Sequence, residues 1–407
     1  IYGEYVGPVK QGSIREARDF VKQYEGVPSF KIYGNTRFQY CFIADEFSGV
    51  VDWNINDLAI ANIDIEVGEP PGGGFPEPDD ANGPLTAITV KMDGHFTTFG
   101  CGDYENTRND VTYLKCSNEY DLIKKFVGWW QSEYPDIITG WNSEGYDIPY
   151  TIGRITRVLS KDDTRRMCLW GQFPKQREFE RFGAVNTTFD LIGRVHMDYM
   201  QLYRKYTYEE RHSYSLDAIA EYELGERKTQ YEGTLDQLYN KDFPKFIEYN
   251  RQDTMLLAKL DKKLRFLDLA NELAHDNTVL LPTTMGAVAV TEQAIINEAH
   301  QRGRIVQNRK ERDDHADTQA AGAYVAYPKK GMHEYIGAID INSLYPSAIR
   351  ALNMAPETIV GQLRPIMTDR LIQENVASGM SFAEAWEGLF ACLEYTAVMN
   401  AEPGTEI

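Results

Sequence analysis

Ala61-Asn62-Ile63-Asp64-Ile65-Glu66-Val67 alternates apolar and polar side chains with period two, the pattern of a strand with one buried face. Ile63, Ile65 and Val67 are expected to enter a core, which turns Asn62, Asp64 and Glu66 together to the opposite face. Two carboxylates so close repel, and a cation between them removes the repulsion. Oxygen-only ligands suit Mg²⁺ or Mn²⁺ better than zinc. An acidic pair on a strand is by itself most often solvated surface, so the reading depends on which other acids the chain brings to that face.

Working outward, Glu69-Pro-Pro-Gly-Gly-Gly-Phe-Pro-Glu-Pro78 is a run that neither a helix nor a central strand tolerates, so it forms a surface loop beside the carboxylates. Leu85–Met92 and His95–Gly100 read as a hairpin turning at Asp93-Gly94. Residues 119–133 read as an amphipathic helix with Leu122, Ile123, Phe126, Trp129 and Trp130 on one stripe, where the Trp pair reads as core rather than a ligand platform. Ile137–Asn142 is a short buried strand. Ser143-Glu144-Gly145-Tyr146-Asp147-Ile148-Pro149-Tyr150 then leads into a helix with Pro149 in its first turn, and Asp147 either caps that helix or faces a cleft. Residues 170–190 suggest a hairpin and Ser213–Leu224 a helix. Phe243–Leu267 reads as one long helix that places Tyr249 and Asp253 on one face, a spacing that also arises by chance.

Upstream, residues 1–56 carry mixed helix and strand signals, with Ser13 and Glu16 as a capping pair. Downstream, residues 268–311 are mostly helical and end in the basic run Arg302, Arg304, Arg309, Lys310 and Arg312, either a phosphate contact or a solvated face. A strand–turn–strand follows from Gly322, then a strand over Tyr335–Asp340, a tight turn and a helix opened by Pro346. One amphipathic helix is expected after 367.

The 407 residues are 43% hydrophobic and 12% aromatic, enough for two or three domains. No apolar run approaches a membrane span and no signal peptide opens the chain. The five cysteines are scattered without a C-x-x-C pair, which indicates neither a disulfide framework nor a zinc site, and a reducing cytoplasm is the simplest location. The first residue is Ile1, and we expect a piece of something longer. The net charge of −19 argues against a nucleic-acid binder, except that a metal-dependent site concentrates acid where it acts.

Asp64, Glu66, Asp147, Asp253 and Tyr249 are the parts of a two-metal phosphodiesterase, in which two cations roughly 4 Å apart activate water and stabilise the leaving oxygen. Tyr249 could orient the water. In order and spacing, Asp64-Ile-Glu66, Trp141-Asn-Ser-Glu-Gly-Tyr-Asp147 and Tyr249-Asn-Arg-Gln-Asp253 resemble the three exonuclease motifs of family B DNA polymerases. Asp340-Ile-Asn-Ser-Leu-Tyr-Pro-Ser347 resembles that family's first polymerase motif. Gly74-Phe-Pro-Glu-Pro78, Ala87-Ile-Thr89 and Ser213-Tyr-Ser-Leu-Asp217 are similar to its T-even-type bacteriophage branch.

The resemblance implies an α/β chain of several domains. An N-terminal domain remnant would occupy 1–56 and an RNase H-like 3′→5′ proofreading exonuclease 57–265. A helical return to the N-terminal domain would follow at 266–311, and a partial polymerase palm at 312–407. Asp64, Glu66, Asp147 and Asp253 would be the exonuclease metal ligands, and a hairpin near 176–188 would help pass a frayed primer end. In the palm, Asp340 and the Ile341 carbonyl would bind metal, while Ser343, Leu344 and Tyr345 would contact the incoming dNTP. A tyrosine ring under the sugar leaves no room for a 2′-hydroxyl. The implied cofactor is Mg²⁺, with Mn²⁺ as a substitute, two ions per site. The implied partners are primer-template DNA, a single-stranded 3′ end, dNTP, the remaining fingers, palm and thumb, and a sliding clamp; the location would be the host bacterial cytoplasm. Two departures stand out. Gln319-Ala320-Ala321 precedes Gly322-Ala323 where related phage enzymes carry an aromatic, and no second palm acid follows, so the chain alone is expected to hydrolyse DNA but not extend a primer. The rival readings are a stand-alone exonuclease and a non-catalytic half of a split polymerase.

Overall fold

The computed structural model describes residues 5–27, 30–34, 37–47, 49–181, 184–306, 326–354, 374–381 and 384–385. The chain divides into two compact units, one of Ile1–Thr36 with Ala299–Ile407, the other of Arg37–Glu298. In chain order the elements begin with helices α1 (Ile14–Tyr24) and α2 (Phe38–Glu46), then strands β1 (Ile60–Val67), β2 (Leu85–Met92), β3 (His95–Gly100) and β4 (Val111–Lys115). Next come α3 (Glu119–Glu133), β5 (Ile137–Thr139), α4 (Asp147–Val158), the hairpin β6 (Lys175–Arg181) and β7 (Ala184–Asp190), and β8 (Val195–His196). Helices α5 (Tyr199–Tyr206), α6 (Leu216–Leu224), α7 (Leu235–Lys241), α8 (Phe243–Leu264), α9 (Phe266–Asn277), α10 (Ala287–Gln301) and α11 (Leu344–Ala351) complete the series.

The larger unit is built on one mixed sheet in the order β4-β3-β2-β1-β5-β8. Strand β1 runs antiparallel to β2 and parallel to β5, so the acidic strand lies at the centre, where strand direction changes. Strands β2 and β3 meet at Asp93 and Gly94, both with positive φ, as the mirror-image turns that match strand twist require. Ile63 and Ile65 pack with Leu122, Phe126, Trp130, Ile148 and Ile152, so α3 and α4 cover one face. Trp130 is fully buried and its indole N–H donates to the Met167 carbonyl (3.2 Å), which makes it core.

The opposite face is also covered, by α8, whose Phe246 and Ile247 pack on Ala87 of β2. Strand β1 is therefore buried on both sides: Asn62 and Glu66 are buried as well as Ile63 and Ile65. Strict alternation suggests one wet face, but a helix bearing its own polar residues can cover polar strand positions. This α/β architecture, a central mixed sheet with helices on both faces, is the RNase H-like arrangement expected from the sequence.

Several expectations need correction. The long helix ends at Leu264, because Arg265 turns left-handed (φ 55°) and its amide closes on the Asp261 carbonyl (2.7 Å) before α9 restarts. Leu260, Phe266 and Leu267 all enter one core, so the apolar rhythm runs straight through the break. Among the described residues of 1–56 there are two helices and a short 3₁₀ turn (Ile55–Asp57) but no strand. Tyr335–Asp340 is not a strand either: no described backbone lies alongside to complete a ladder, and its apolar side chains stand exposed. The basic residues Arg309, Lys310 and Arg312 and the stretch Gln319–Ala323 lie outside the described residues, as does most of the chain after 354.

Candidate active site

Three sequence-predicted acids come together. One carboxylate oxygen each from Asp64, Glu66 and Asp253 lies within 4.8 Å of the others. Asp64 and Glu66 project from β1 toward α8, and Asp253 projects from α8 toward them. Helix α8 is held at this height by side-chain bonds to β1. Asn250 donates to the Asp64 carboxylate (2.7 Å), and Asn62 donates to the Thr254 carbonyl (2.8 Å).

Asp147 joins the site by a different route. Strand β5 pairs with β1 only as far as Thr139, opposite Asn62. Beyond that point the Ile65 amide donates to the Asp147 carboxylate (3.1 Å), so the first residue of α4 continues the ladder where the strand stops. The turn between them needs Gly140, where a Cβ would lie 2.8 Å from the Ile63 carbonyl, and Asn142, with φ 65°. The Asp147 carboxylate also bonds its own backbone amide at the start of α4, and its oxygens are not among the three within 4.8 Å.

Burial and mutual repulsion set the electrostatics. Glu66, Asp147 and Asp253 are each less than one-tenth exposed. Burial, then repulsion from Asp253, Glu66 and Asp147, pushes Asp64 well above the usual carboxylate range. Glu66 is pushed up to about 8 by burial and then Asp253. Asp147 rises to about 7, mainly through burial, and burial also raises Asp253. Four acids pushed upward by burial and by one another mark a site short of positive charge.

One cation of the chain partly supplies it. Lys228, in the segment after α6, meets the Asp253 carboxylate at 2.5 Å. Burial pulls its ammonium down, but Asp253, Tyr249 and Asp64 together hold it above its ordinary value. The same ammonium lies 5.5 Å from the centre of the Tyr249 ring, which stands half-buried one turn before Asp253 and meets Tyr231 edge-on. Sequence reasoning placed Asn62 on the acidic face and Asn250 inside a motif without giving either a role, and missed Lys228. Four acids on one face call for a basic partner, but no periodicity marks Lys228 as the one.

Such acids imply a resident metal pair, and the side chains present fit one. The donor set is all oxygen, and Asp253 Oδ1 is buried without a hydrogen-bond donor. An oxygen left bare beside three other acids suits a hard divalent cation.

Around the site, the Tyr150 hydroxyl donates to the Gly83 carbonyl (2.8 Å) and accepts from its amide (2.9 Å), pinning the end of the Gly/Pro loop. Arg177 at the root of the β6–β7 hairpin pairs with Glu144, three residues before Asp147, and with Asp190 (3.1 Å). The Ser143 hydroxyl and His196 Nε2 are 2.9 Å apart.

The remaining predicted residues lie in the smaller unit. Asp340 and Ile341 are on an exposed segment without regular structure, Ser343 turns left-handed (φ 50°), and Leu344 and Tyr345 open α11 with exposed side chains. Asp340 belongs to no group of three or more metal-ligating side chains among the described residues.

Two family models match the chain. The exonuclease domain of DNA polymerase family B matches residues 33–219, and DNA polymerase family B matches residues 281–386. The DNA-directed DNA polymerase of Escherichia phage RB69 is 26% identical over 391 residues, covering 89% of this chain and 42% of that protein. That of Enterobacteria phage T4 is 27% identical, covering 89% of this chain and 43% of its own length. DNA polymerase II of Escherichia coli is 26% identical over 65% of this chain. The chain thus spans about two fifths of the length of the phage relatives it matches. No helix among the described residues is long and apolar enough to cross a membrane.

Proposed function

We propose, from the premise that this chain belongs to DNA polymerase family B, that its larger unit removes nucleotides from the 3′ end of single-stranded DNA. The observation that carries the proposal is the convergence of Asp64, Glu66 and Asp253 within 4.8 Å on one buried face. Asp64, Glu66, Asp147 and Asp253 would hold two Mg²⁺ or Mn²⁺ ions. When bound, such ions lower the pKa of water and neutralise the leaving 3′ oxygen.

The protein's own part is positioning. Asn250 fixes the Asp64 carboxylate, the Ile65 amide fixes that of Asp147, and Lys228 balances charge at Asp253. Tyr249 keeps its hydroxyl proton, because burial and then the neighbouring acids raise its pKa, so it can donate or accept a hydrogen bond from the attacking water. The hairpin β6–β7, tied through Arg177 to the segment carrying Asp147, would guide a frayed primer end.

The same reading makes the chain part of a replicative polymerase that adds dNTPs to a primer-template. On this reading the nuclease would occupy 57–265, N-terminal segments 1–56 and 266–311, and the palm 312–407. Asp340 and the Ile341 carbonyl would bind metal there, and Ser343, Leu344 and Tyr345 would contact the nucleotide. The further partners would be the fingers, the rest of the palm and the thumb, with a sliding clamp, in the cytoplasm of a bacterial host. The polymerase match across 281–386 favours this over a stand-alone nuclease.

The test is degradation of a 5′-labelled single-stranded oligonucleotide with Mg²⁺, beside Asp147→Ala. A 3′→5′ ladder lost in the mutant is expected. A ladder that persists would remove the chemistry from these acids.

A further inference from the structure

Two turns in the larger unit share one backbone geometry and differ in sequence. Asp93-Gly94 closes the β2–β3 hairpin with φ 51° and 79°. Trp170-Gly171 does the same with φ 54° and 63°, closed by the Gln172 amide on the Leu169 carbonyl (3.1 Å). Aspartate and asparagine tolerate positive φ; for a bulky residue it is an outlier that local folding does not favour. Trp170 occupies this position with its side chain 75% exposed, so packing does not offset the strain. The base of the turn is fixed, because the Leu169 amide donates to the Ile192 carbonyl (2.8 Å) and Met167 and Cys168 are buried. An indole held out on a rigid turn, at a cost to folding, calls for a ligand.

Its surroundings indicate which ligand. From Arg157 to Lys175 the chain carries five basic residues against two acidic ones, within a protein of net charge −19. Arg157, Lys161, Arg165 and Lys175 are exposed. Phe173 is exposed too, with the Arg165 guanidinium 3.9 Å and the Lys161 ammonium 5.9 Å from its ring centre. Arg165 also pairs with exposed Asp162 at 3.5 Å, which leaves most of the cationic surface in place. Aromatic faces interleaved with cations suit unpaired bases joined by phosphates.

We propose that the Trp170–Gly171 turn, with Phe173, Lys161 and Arg165, is a binding surface for single-stranded DNA separate from the carboxylate site. It follows the C-terminal end of α4, whose first residue is Asp147. Twelve helical residues put roughly 18 Å between those ends, and the eleven residues 159–169 separate α4 from Trp170. The inference rests on the proposed nuclease reading for its choice of DNA.

The test is fluorescence anisotropy of labelled d(T)16 with the full chain in EDTA, comparing wild type, Trp170→Asn and Trp170→Phe. Asparagine suits the turn, so Trp170→Asn should melt no lower than wild type while binding d(T)16 about tenfold more weakly. Trp170→Phe should keep most of the affinity, and Arg165→Ala should flatten the salt dependence. Cleavage of d(T)3 with Mg²⁺ should proceed unchanged in Trp170→Asn. Affinity within about twofold of wild type in a well-folded Trp170→Asn overturns the proposal and leaves the nuclease reading intact. A sharp drop in melting temperature would make the indole a packing group, and Trp170-dependent self-association would assign the surface to a second copy; either overturns it. A wild-type chain that binds no d(T)16 in EDTA also overturns it, and leaves the metal-dependent nuclease reading to the oligonucleotide ladder with Mg²⁺.

Discussion

The Asp64–Asp253 cluster and the Asp340 stretch are equally readable as motifs, yet the fold treats them differently. Asp253 sits 4% exposed among three other acids, a lysine and an asparagine. Asp340 stands on an exposed segment and joins no group of three or more ligating side chains among the described residues. A string of residues can identify a family. A working metal site also needs charge brought from elsewhere in the chain, and the cluster draws on β1, α4, α8 and the segment after α6.

The contrast can be broken most directly by activity. Removing a supporting contact of a metal ligand typically costs 10- to 100-fold, so losing the ligand itself in Asp253→Ala should cut hydrolysis of single-stranded DNA by at least about a hundredfold. Asp340→Ala should leave that rate within about twofold; equal losses in both would erase the distinction. Next in size is Lys228→Met, which strips a buried acidic cluster of its partner. Urea unfolding in EDTA should show a loss of ~3–5 kcal/mol, shrinking when Mg²⁺ is added.

A smaller effect concerns the acid limb of stability. Burial, with Arg177 nearby, pushes His196 down to about 4 from 6.5. Below pH 6.5 the unfolded chain takes up a proton that the folded one refuses, so this contribution to stability is lost as pH falls toward 4. His196→Gln should flatten the melting curve over that window. The smallest effect is expected at the exposed segment, where Asp340→Asn should change stability by no more than about 0.5 kcal/mol.

Much of the larger unit was legible in sequence. The turn chemistry of Asp93-Gly94 and the apolar stripe of 119–133 are local, and the elements they mark fall where expected, as does the Ser13 cap in the smaller unit. The stop at Arg265 was not legible, because it depends on a backbone conformation that the apolar rhythm does not register. Nor was the covered acidic face of β1, since alternation reports polarity and not what lies above it. At the site, the acids were legible because like charges on one face demand an explanation. Lys228 was not, because its partnership with Asp253 joins residues with no common element. Trp170 went unnoticed because its oddity lies in φ, and no residue type announces that.

Helix α8 carries Tyr249, Asn250 and Asp253 within the same three turns that seal the core with Phe246, Ile247, Leu256 and Leu257. Each residue advances a helix by about 100°. Inserting or deleting one amino acid between 247 and 256 would therefore rotate the acids away from β1 or tear one half of the helix from its packing. Length changes in the glycine- and proline-rich loop, pinned at its end by Tyr150, would leave both untouched. In the history of this gene, frame-preserving insertions and deletions are expected to accumulate beside the site and almost never across it.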